Sequence, residues 1–272
     1  MWTTEITSSH RYFPDLREIW THRRLALVLA QRNIKVRYMQ TLLGSVWIVV
    51  QPLLMTGVLT VVFGLILSAP ADGMPYALFA FTGTVVWTGF QRALNDTSVS
   101  LANSGNIVLK VYFPRILIPI SAGLTSFFDL IPTYVVLLIT IAISRHVSGF
   151  AILLSPLFIL LAFIMAFAVG LWITVLDAVF RDVRLVIPSV MQVVFYITPI
   201  VYSQTAIPAR WRVLYHLNPF VGVVTGFRWS VIADAVPPSI FDLVWSCGFC
   251  GVLLVTGLAL FARIENFAVD RI

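Results

Sequence analysis

Charged residues are scarce in this chain of 272 residues. Asp, Glu, Lys and Arg make up 11% of it, whereas soluble domains carry about 25%. Hydrophobic residues take their place, at 59% of the sequence. So little charge cannot cover a water-exposed surface, which excludes a soluble globular protein. The composition predicts a protein that crosses a membrane several times.

Several enzyme motifs are also missing from the sequence. It contains no G-x-x-x-x-G-K-[ST] phosphate loop, no G-x-S-x-G and no H-E-x-x-H. The four histidines have no metal-ligand spacing, and Cys247 and Cys250 lie in an apolar run without a neighbouring base. We therefore expect no catalytic residue, metal or cofactor in this chain, so that any ATP must be bound by another protein.

The start of the chain lacks the pattern of a cleavable signal peptide, because its first long apolar run begins only at Leu43. Lys and Arg are concentrated just before that run, between Thr21 and Gln40. Basic residues beside a first span remain in the cytoplasm, so we expect a cytoplasmic N-terminus. Because the cations flank apolar spans, as membrane insertion requires, nucleic acid is not an expected partner.

Apolar runs long enough to cross a bilayer recur along the chain, separated by short segments rich in polar residues, Pro or Gly. Most Lys and Arg fall in segments that this alternation places inside, while Arg145, Arg210 and Arg212 fall outside. The prediction is an all-α polytopic membrane protein, one transmembrane domain over 1–272, with both termini in the cytoplasm. Its six predicted spans are 43–67, 76–96, 116–143, 151–176, 185–202 and 240–261.

Three segments outside the spans have patterns of their own. Residues 14–40 are predicted as an amphipathic helix on the cytoplasmic membrane surface, broken near Thr21; a merely topogenic basic segment is the alternative. Residues 98–115 form the longest inner loop. Residues 203–238 contain two short apolar pieces separated at Asn218-Pro219, which predicts an outer re-entrant helical hairpin. The apolar stripe of the first segment is Leu16, Ile19, Trp20, Leu27, Ile34 and Tyr38.

Small residues that repeat every four positions indicate where helices pack closely. Ala162, Ala166 and Gly170 repeat every four residues in the fourth span, which predicts close contact with another helix. Gly222 and Gly226 have the same spacing in the second arm of the predicted hairpin.

Charges inside apolar runs are functional candidates, because burying them is costly. Asp129 lies deepest in a span, and Arg92 and Asp96 are spaced to pair along a helix. An ion-coupled secondary transporter would use Asp129 with partners on other spans, for which Arg92, Asp96, Arg228 and Asp177 are available. A structural pair or a lipid headgroup contact explains those four residues equally well. A membrane glycosyltransferase is a further alternative, without a convincing pair of intramembrane carboxylates.

Short motifs occur in a characteristic order along nearly the whole chain. The motifs are residues 32–44 leading to Gln51-Pro52, residues 106–115 ending in Val111-Tyr112-Phe113-Pro114-Arg115, Phe180-Arg181-Asp182-Val183-Arg184, Thr198-Pro199-Ile200-Val201-Tyr202, Ile207-Pro208 with Trp211, and Leu217-Asn218-Pro219 with Gly226-Phe227-Arg228. In this order and spacing they resemble the membrane subunits of type-2 ABC exporters, specifically permeases for O-antigen-type polysaccharides and teichoic acids.

The resemblance implies a homodimer with two copies of a separate ABC ATPase, which would hold ATP and Mg. It implies export of a lipid-linked polysaccharide across the inner (cytoplasmic) membrane; an ABC exporter of another lipid or a drug is the alternative. We expect the 98–115 loop and the 14–40 helix to dock on the ATPase, the 14–40 helix also to border the substrate entrance, and the 203–238 hairpin to gate the exit.

The resemblance also implies roles for individual residues. ATPase coupling is expected of Asn106, Val108, Lys110, Tyr112, Phe113 and Arg115. The substrate-entrance helix would use Arg24, Arg32, Lys35 and Arg37. Aromatic rings stack on sugar faces, although such rings also form interfacial belts, and the pore-lining candidates are Trp47, Gln51, Phe195, Tyr196 and Tyr202. The outer-gate candidates are Pro208, Trp211, Asn218, Pro219 and Arg228.

Overall fold

A computed structural model of the chain describes residues 14, 16–39, 44–103, 113–180, 182–233 and 235–269. Within these ranges the chain forms helices and no strand; one isolated β-bridge joins Val147 to Ile232. The all-α prediction is therefore confirmed. The helices are α1 Leu16–Thr21, α2 Arg23–Tyr38, α3 Trp47–Leu59, α4 Tyr76–Ser98, α5 Ser100–Asn103, α6 Leu117–Ile143, α7 Ser155–Val179, α8 Val183–Ile197, α9 Arg212–His216, α10 Phe220–Val231 and α11 Ile240–Val269.

Four helical segments among the described residues are long and apolar enough to cross a membrane: Gly44–Ile66, Leu117–Ile143, Phe150–Asp177 and Ile240–Arg263. Helix α4 has 23 residues but a more polar composition, and α8 is shorter, with 15 residues. The chain is thus a multi-pass membrane protein, and the count of six spans stays a prediction.

The N-terminal helix breaks where the sequence predicts, because α1 ends at Thr21 and α2 begins at Arg23, on either side of His22. Trp20 and Leu27 of the predicted apolar stripe are 68% and 45% exposed, and the position of this stripe on the membrane surface stays a prediction. Ala26 and Ala30 are buried instead, where α2 packs on α6. Small side chains allow this close approach, which the larger residues of the stripe would prevent.

Helix α4 lies at the centre of the bundle and packs on α3, α6, α7 and α10. The small-residue stripe of α7 faces it: Ala162 and Ala166 are buried, and a Cβ on Gly170 would lie 2.7 Å from the Cβ of Thr97. The predicted close contact at this stripe is confirmed.

Helix α3 contains Pro52, which has no backbone N–H to bond the carbonyl of Ile48 one turn earlier. The hydroxyl of Thr133 on α6 donates to that carbonyl at 3.0 Å. A membrane helix tolerates proline where a neighbour satisfies the freed group in this way. After Leu59 the helix continues as a π-helix over Thr60–Ile66.

Helices α8 and α11 end well away from the predicted span limits. Helix α8 ends at Ile197 rather than at 202, because Pro199 disfavours helical geometry at Thr198, whose ψ is 146°. Helix α11 continues to Val269, past the predicted end at 261.

The 203–238 segment forms two helical pieces, α9 and α10, which separate at Asn218-Pro219 as predicted. Its second arm packs closely: a Cβ on Gly222 would lie 2.5 Å from the backbone oxygen of Asp242, and one on Gly226 2.2 Å from Cε1 of Phe158. The predicted role of both glycines in close packing is confirmed. Re-entry into the membrane stays a prediction.

Candidate functional site

The amphipathic N-terminal region and the end of the 98–115 loop share one apolar cluster. Phe113, at the loop's end, is 8% exposed and belongs to this cluster with Ala26 of α2 and Leu117 and Ile118 of α6. Leu101 on α5 packs against it. The two segments expected to face an ATPase are thus joined by one core. The other coupling candidates, Asn106, Val108, Lys110 and Tyr112, lie outside the described residues, and Arg115 is half-buried.

The four cations assigned to the entrance helix separate into two groups. Arg24, Arg32 and Lys35 are exposed. Arg37 turns inward, and its Nη1 donates to Oδ2 of Asp129 on α6 at 2.5 Å. Its Nη2 donates to Oδ2 of Asp96 on α4 at 2.7 Å. One guanidinium therefore ties the end of α2 to two helices of the bundle.

The surroundings of Arg37 support this ion pairing. Asp129 is 3% exposed, and Ser126 donates to Asp96. Burial lowers the pKa of Arg37, but Asp96 and Asp129 more than offset this effect, so that its pKa is raised. Burial, with the charge of Asp129, also raises the pKa of the neighbouring Tyr38 phenol to about 12.

A second arginine lies near this cluster with a different partner. Nη2 of Arg92 on α4 donates to the amide oxygen Oε1 of Gln51 on α3 at 3.3 Å. The spacing on α4 would allow Asp96 to pair with Arg92. Asp96 instead accepts a hydrogen bond from Arg37. Both arginines act electrostatically on the Tyr38 phenol, which places them at the same end of the bundle.

Helix α4 exposes one polar face, although most of its surface is buried. Asn95 is exposed and Thr88, Gln91 and Arg92 are half-buried, at helical spacings that place them on one side. Polar side chains at membrane depth require water or protein beside them. The pore-lining candidates predicted from the sequence lie on spans one and five, so this face of α4 was missed. The polar composition of α4 was the signal that could have revealed it.

Helix α8 has two different exposed faces. Ser189, Gln192 and Tyr196 lie on one side of the helix and are exposed. The neighbouring face is apolar. It consists of Val186, Val190, Val193 and Ile197, each at least 45% exposed.

The pore-lining candidates are found in different environments. Trp47 is 49% and Tyr196 52% exposed, and Gln51 is exposed. Tyr202 is half-buried, and its hydroxyl donates to the carbonyl of Ile197 at 2.8 Å. Phe195 differs: it is 5% exposed and its ring packs edge-on against Trp87, with centroids 5.6 Å apart. In this structure Phe195 is a core residue, which does not present its ring to a surface.

Arg228, an outer-gate candidate, is buried at the other end of α4. Its Nη2 donates to the carbonyls of Phe79 at 3.2 Å and Pro199 at 3.0 Å, and its Nε to Thr82 Oγ1 at 3.2 Å. The guanidinium lies 3.6 Å from the centroid of the Phe79 ring, a cation–π contact. Arg228 therefore fastens α10 to α4 and to the chain just after α8.

The turn between the hairpin arms is held by Asn218. Its Nδ2 donates to Thr198 Oγ1 at 3.0 Å, and its Oδ1 accepts from the backbone N–H of Phe220, just after Pro219, at 3.0 Å. In the first arm, Pro208 precedes a 3-10 turn in which Trp211 is 52% exposed. Among the gate candidates, Trp211 thus exposes its ring in the first arm. Asn218 at the turn and Arg228 in the second arm are held by hydrogen bonds.

A pair formed by a half-buried histidine and a buried aspartate was not singled out from the sequence. His216 Nδ1 lies 2.7 Å from Oδ1 of Asp242, which is 1% exposed. The two residues are 26 positions apart, so no local pattern could have revealed the pair. In the part of the chain that the structure describes, no group of three His, Cys, Asp or Glu residues could hold a metal ion.

These features define a permease-like membrane protein, an all-helical bundle with polar faces on two of its helices. The sequence matches the ABC-2 type transporter family over residues 24–232, which is most of the chain. The chain therefore belongs to this family, whose members work with an ABC ATPase.

Curated relatives cover nearly the whole chain at modest identity. The O-antigen export system permease protein RfbA of Klebsiella pneumoniae is 26% identical over 89% of this chain and 92% of its own length. The protein of the same name from Myxococcus xanthus is 23% identical, over 93% and 97%. The polysialic acid transport protein KpsM of Escherichia coli is 23% identical, over 86% and 91%.

Proposed function

We propose that this chain is the transmembrane subunit of an ATP-driven exporter that moves a lipid-linked polysaccharide across the inner (cytoplasmic) membrane. The observation that carries the proposal is the set of polysaccharide-export relatives from three organisms, each matched over at least 86% of this chain. The N- and C-termini lie in the cytoplasm, in keeping with the basic residues before the first span.

The exposed helix faces support a conduit formed by two copies of the chain. A glycan carries many hydroxyl groups and needs a wet path, for which the polar faces of α4 and α8 are suited. Helix α3 exposes an apolar groove lined by Val50, Leu53, Leu54, Gly57, Val58, Val61 and Val62. A second copy covers this groove and the apolar face of α8, so that the polar faces of both copies surround one passage.

The energy comes from a partner. Two copies of an ABC ATPase bind ATP and Mg and contact the 98–115 loop and the N-terminal helices. When the ATPase closes, it pushes on these segments. The shared apolar cluster and the Arg37 ion pairs pass that movement to α4 and α6. This chain itself performs no covalent chemistry.

Deletion of the gene, with complementation, tests the substrate. We expect glycan to be lost from the cell surface and to accumulate on the cytoplasmic side. Inactivation of the partner ATPase should give the same result, and a proton ionophore should not. Normal glycan export in the deletion strain would instead favour another lipid or drug as cargo. Sugar transfer by the purified chain alone would favour a glycosyltransferase.

Substitution in the loop tests the partner. Val108→Asp or Tyr112→Asp places a charge in a partly apolar segment and should abolish co-purification with the ATPase. Arg145→Gln, in the loop between α6 and α7, is the matched control and should leave co-purification unchanged. Intact co-purification and export in both loop variants would exclude the coupling role.

Substitution of exposed rings tests the conduit. Tyr196→Ala and Trp47→Ala remove rings from exposed positions on α8 and α3 and should lower the export rate. Val255→Ala changes an exposed apolar residue of α11, outside both of these faces, and serves as the control. Normal export in both ring variants would make these rings interfacial belt residues only.

A further inference from the structure

Arg92 forms its hydrogen bond with an uncharged side chain. Arg37 is paired with two carboxylates, and Arg228 binds backbone carbonyls and a hydroxyl. Arg92 donates one hydrogen bond to the Gln51 amide. A guanidinium carries five N–H donors, and an amide oxygen orients it without neutralising it. The nearby Asp96 is occupied by Arg37 and Ser126.

The position of Arg92 is accessible to a ligand. Arg92 is half-buried on the polar face of α4, one turn from the exposed Asn95. Gln51 is exposed on α3, one turn after the exposed Trp47. Arg92 also acts electrostatically on Tyr38, the last residue of α2. The site therefore lies where the N-terminal helix meets the bundle, at the end that the charge distribution places in the cytoplasm.

We propose that Arg92, oriented by Gln51, binds the phosphate group of a lipid at the cytoplasmic mouth of the conduit. A planar guanidinium matches two phosphate oxygens with parallel hydrogen bonds, and such charge-assisted bonds are among the strongest in proteins. Assigning the phosphate to the lipid anchor of the exported glycan rests on the proposed function. The exposed Trp47 lies on the same side of α3 as Gln51, where an attached chain would pass.

Direct lipid binding tests the site. The purified chain in phosphatidylcholine nanodiscs is titrated with a long-chain alkyl phosphate monoester and with the corresponding uncharged alcohol. Saturable binding of the phosphate, but not of the alcohol, is expected. Arg92→Gln should weaken it about tenfold or more, the effect of losing one charge-assisted contact. An amide at position 92 can still bond Gln51, which favours retention of the fold.

Two further variants keep the test sharp if Arg92→Gln fails to fold. Gln51→Glu keeps the size and the hydrogen bond but neutralises the guanidinium, so it should weaken phosphate binding by a similar factor. Arg92→Lys keeps the charge but loses the paired hydrogen bonds, so its loss should be smaller. Arg145→Gln is the control. Wild-type affinity in Arg92→Gln and Gln51→Glu, or an equal loss in Arg145→Gln, would overturn the site.

Competition distinguishes the source of the phosphate. Because the phosphate of a glycan anchor is esterified to both lipid and sugar, the two competitors are diesters, a sugar-linked polyprenyl phosphate and phosphatidylglycerol. The assignment to a glycan anchor is supported if the first displaces the monoester well and phosphatidylglycerol displaces it poorly. If phosphatidylglycerol competes equally, that assignment is overturned in favour of a bilayer phospholipid. Binding requires neither ATPase nor glycan. Phosphate binding without glycan export would therefore contradict the proposed function alone, and export without phosphate binding would contradict this site alone.

Discussion

Two arginines, Arg37 and Arg228, fasten opposite ends of α4 in different ways. At the end where α2 meets the bundle, Arg37 pairs with Asp96 and Asp129. At the end beside the hairpin, Arg228 bonds the carbonyls of Phe79 and Pro199 and the hydroxyl of Thr82. The first contact joins formal charges, and the second joins a charge to dipoles.

The difference decides what remains when the cation is removed. Loss of Arg37 leaves two carboxylates facing each other, one of them almost fully buried. Loss of Arg228 leaves neutral groups that need a hydrogen bond. A stranded buried charge costs about 3–5 kcal/mol, whereas an unsatisfied neutral group costs about 1–3 kcal/mol. The charge-paired end should therefore be the more sensitive one.

The largest loss of stability is expected for Arg37→Gln. It should lower the free energy of unfolding by about 3–5 kcal/mol, because Asp129 loses its cation. The measurement is denaturant unfolding in detergent micelles. Arg32→Gln, an exposed change on the same helix, should stay within about 0.5 kcal/mol. Adding Asp129→Asn to Arg37→Gln should restore part of the loss. Equal effects of the Arg37 and Arg32 variants would show that the ion pairs do not hold α2.

Arg228→Gln should cost less, about 2 kcal/mol, because glutamine can satisfy only part of the three acceptors and no charge is stranded. The same unfolding experiment applies, with the exposed Arg210→Gln as control. A loss greater than that of Arg37→Gln would reverse the comparison between the two ends.

Gly222→Ala should destabilise the hairpin end by about 1–2 kcal/mol, because its Cβ would lie 2.5 Å from a backbone oxygen of α11. Gly248→Ala is the matched control, since nothing lies within 4 Å of the added atom. In a helix that exchange is neutral or stabilising by up to about 1 kcal/mol. If both alanines had the same effect, close packing would not contribute to fastening α10.

The smallest effect is expected for Thr133→Val, about 1 kcal/mol, since it removes the one donor shown to the Ile48 carbonyl that Pro52 frees. Thr140→Val is the control, because Thr140 bonds a carbonyl within its own helix. Unfolding of the two variants side by side measures the difference. No difference would mean that the carbonyl is satisfied in another way.

Much of the architecture could be predicted, because membrane helices have strong local signals. The length and apolarity of the runs, together with helix-breaking residues, predicted the helices and the break near Thr21. The spacing of small residues gave the close contacts at Gly170, Gly222 and Gly226. The protein-facing side of α2 was not predicted, because a hydropathy pattern emphasises large residues, whereas Ala26 and Ala30 make the contact. The end of α8 had a usable signal in Thr198-Pro199, since the residue before proline resists helical geometry.

The candidate site was predicted less completely, because its contacts are distant in sequence. Asp129 stood out as a charge in an apolar run, but its cation is 92 residues away, outside every predicted span. Gln51 and Arg92 are 41 residues apart. Phe195 resembled the other aromatic residues of its span, and only packing against Trp87 distinguishes it. No periodic pattern encodes such pairings.

The Arg228 contact has a consequence for the order of assembly during synthesis. Its hydrogen bond to Phe79 joins residues 149 positions apart. At about 5–20 residues per second, a ribosome needs roughly 7–30 s to make the intervening chain. The Arg37 pairs can form as soon as residue 129 has been made, so the contacts at one end of α4 are available before those at the other. A chain interrupted before residue 228 would therefore retain its α2 attachment and leave the first turns of α4 unfastened.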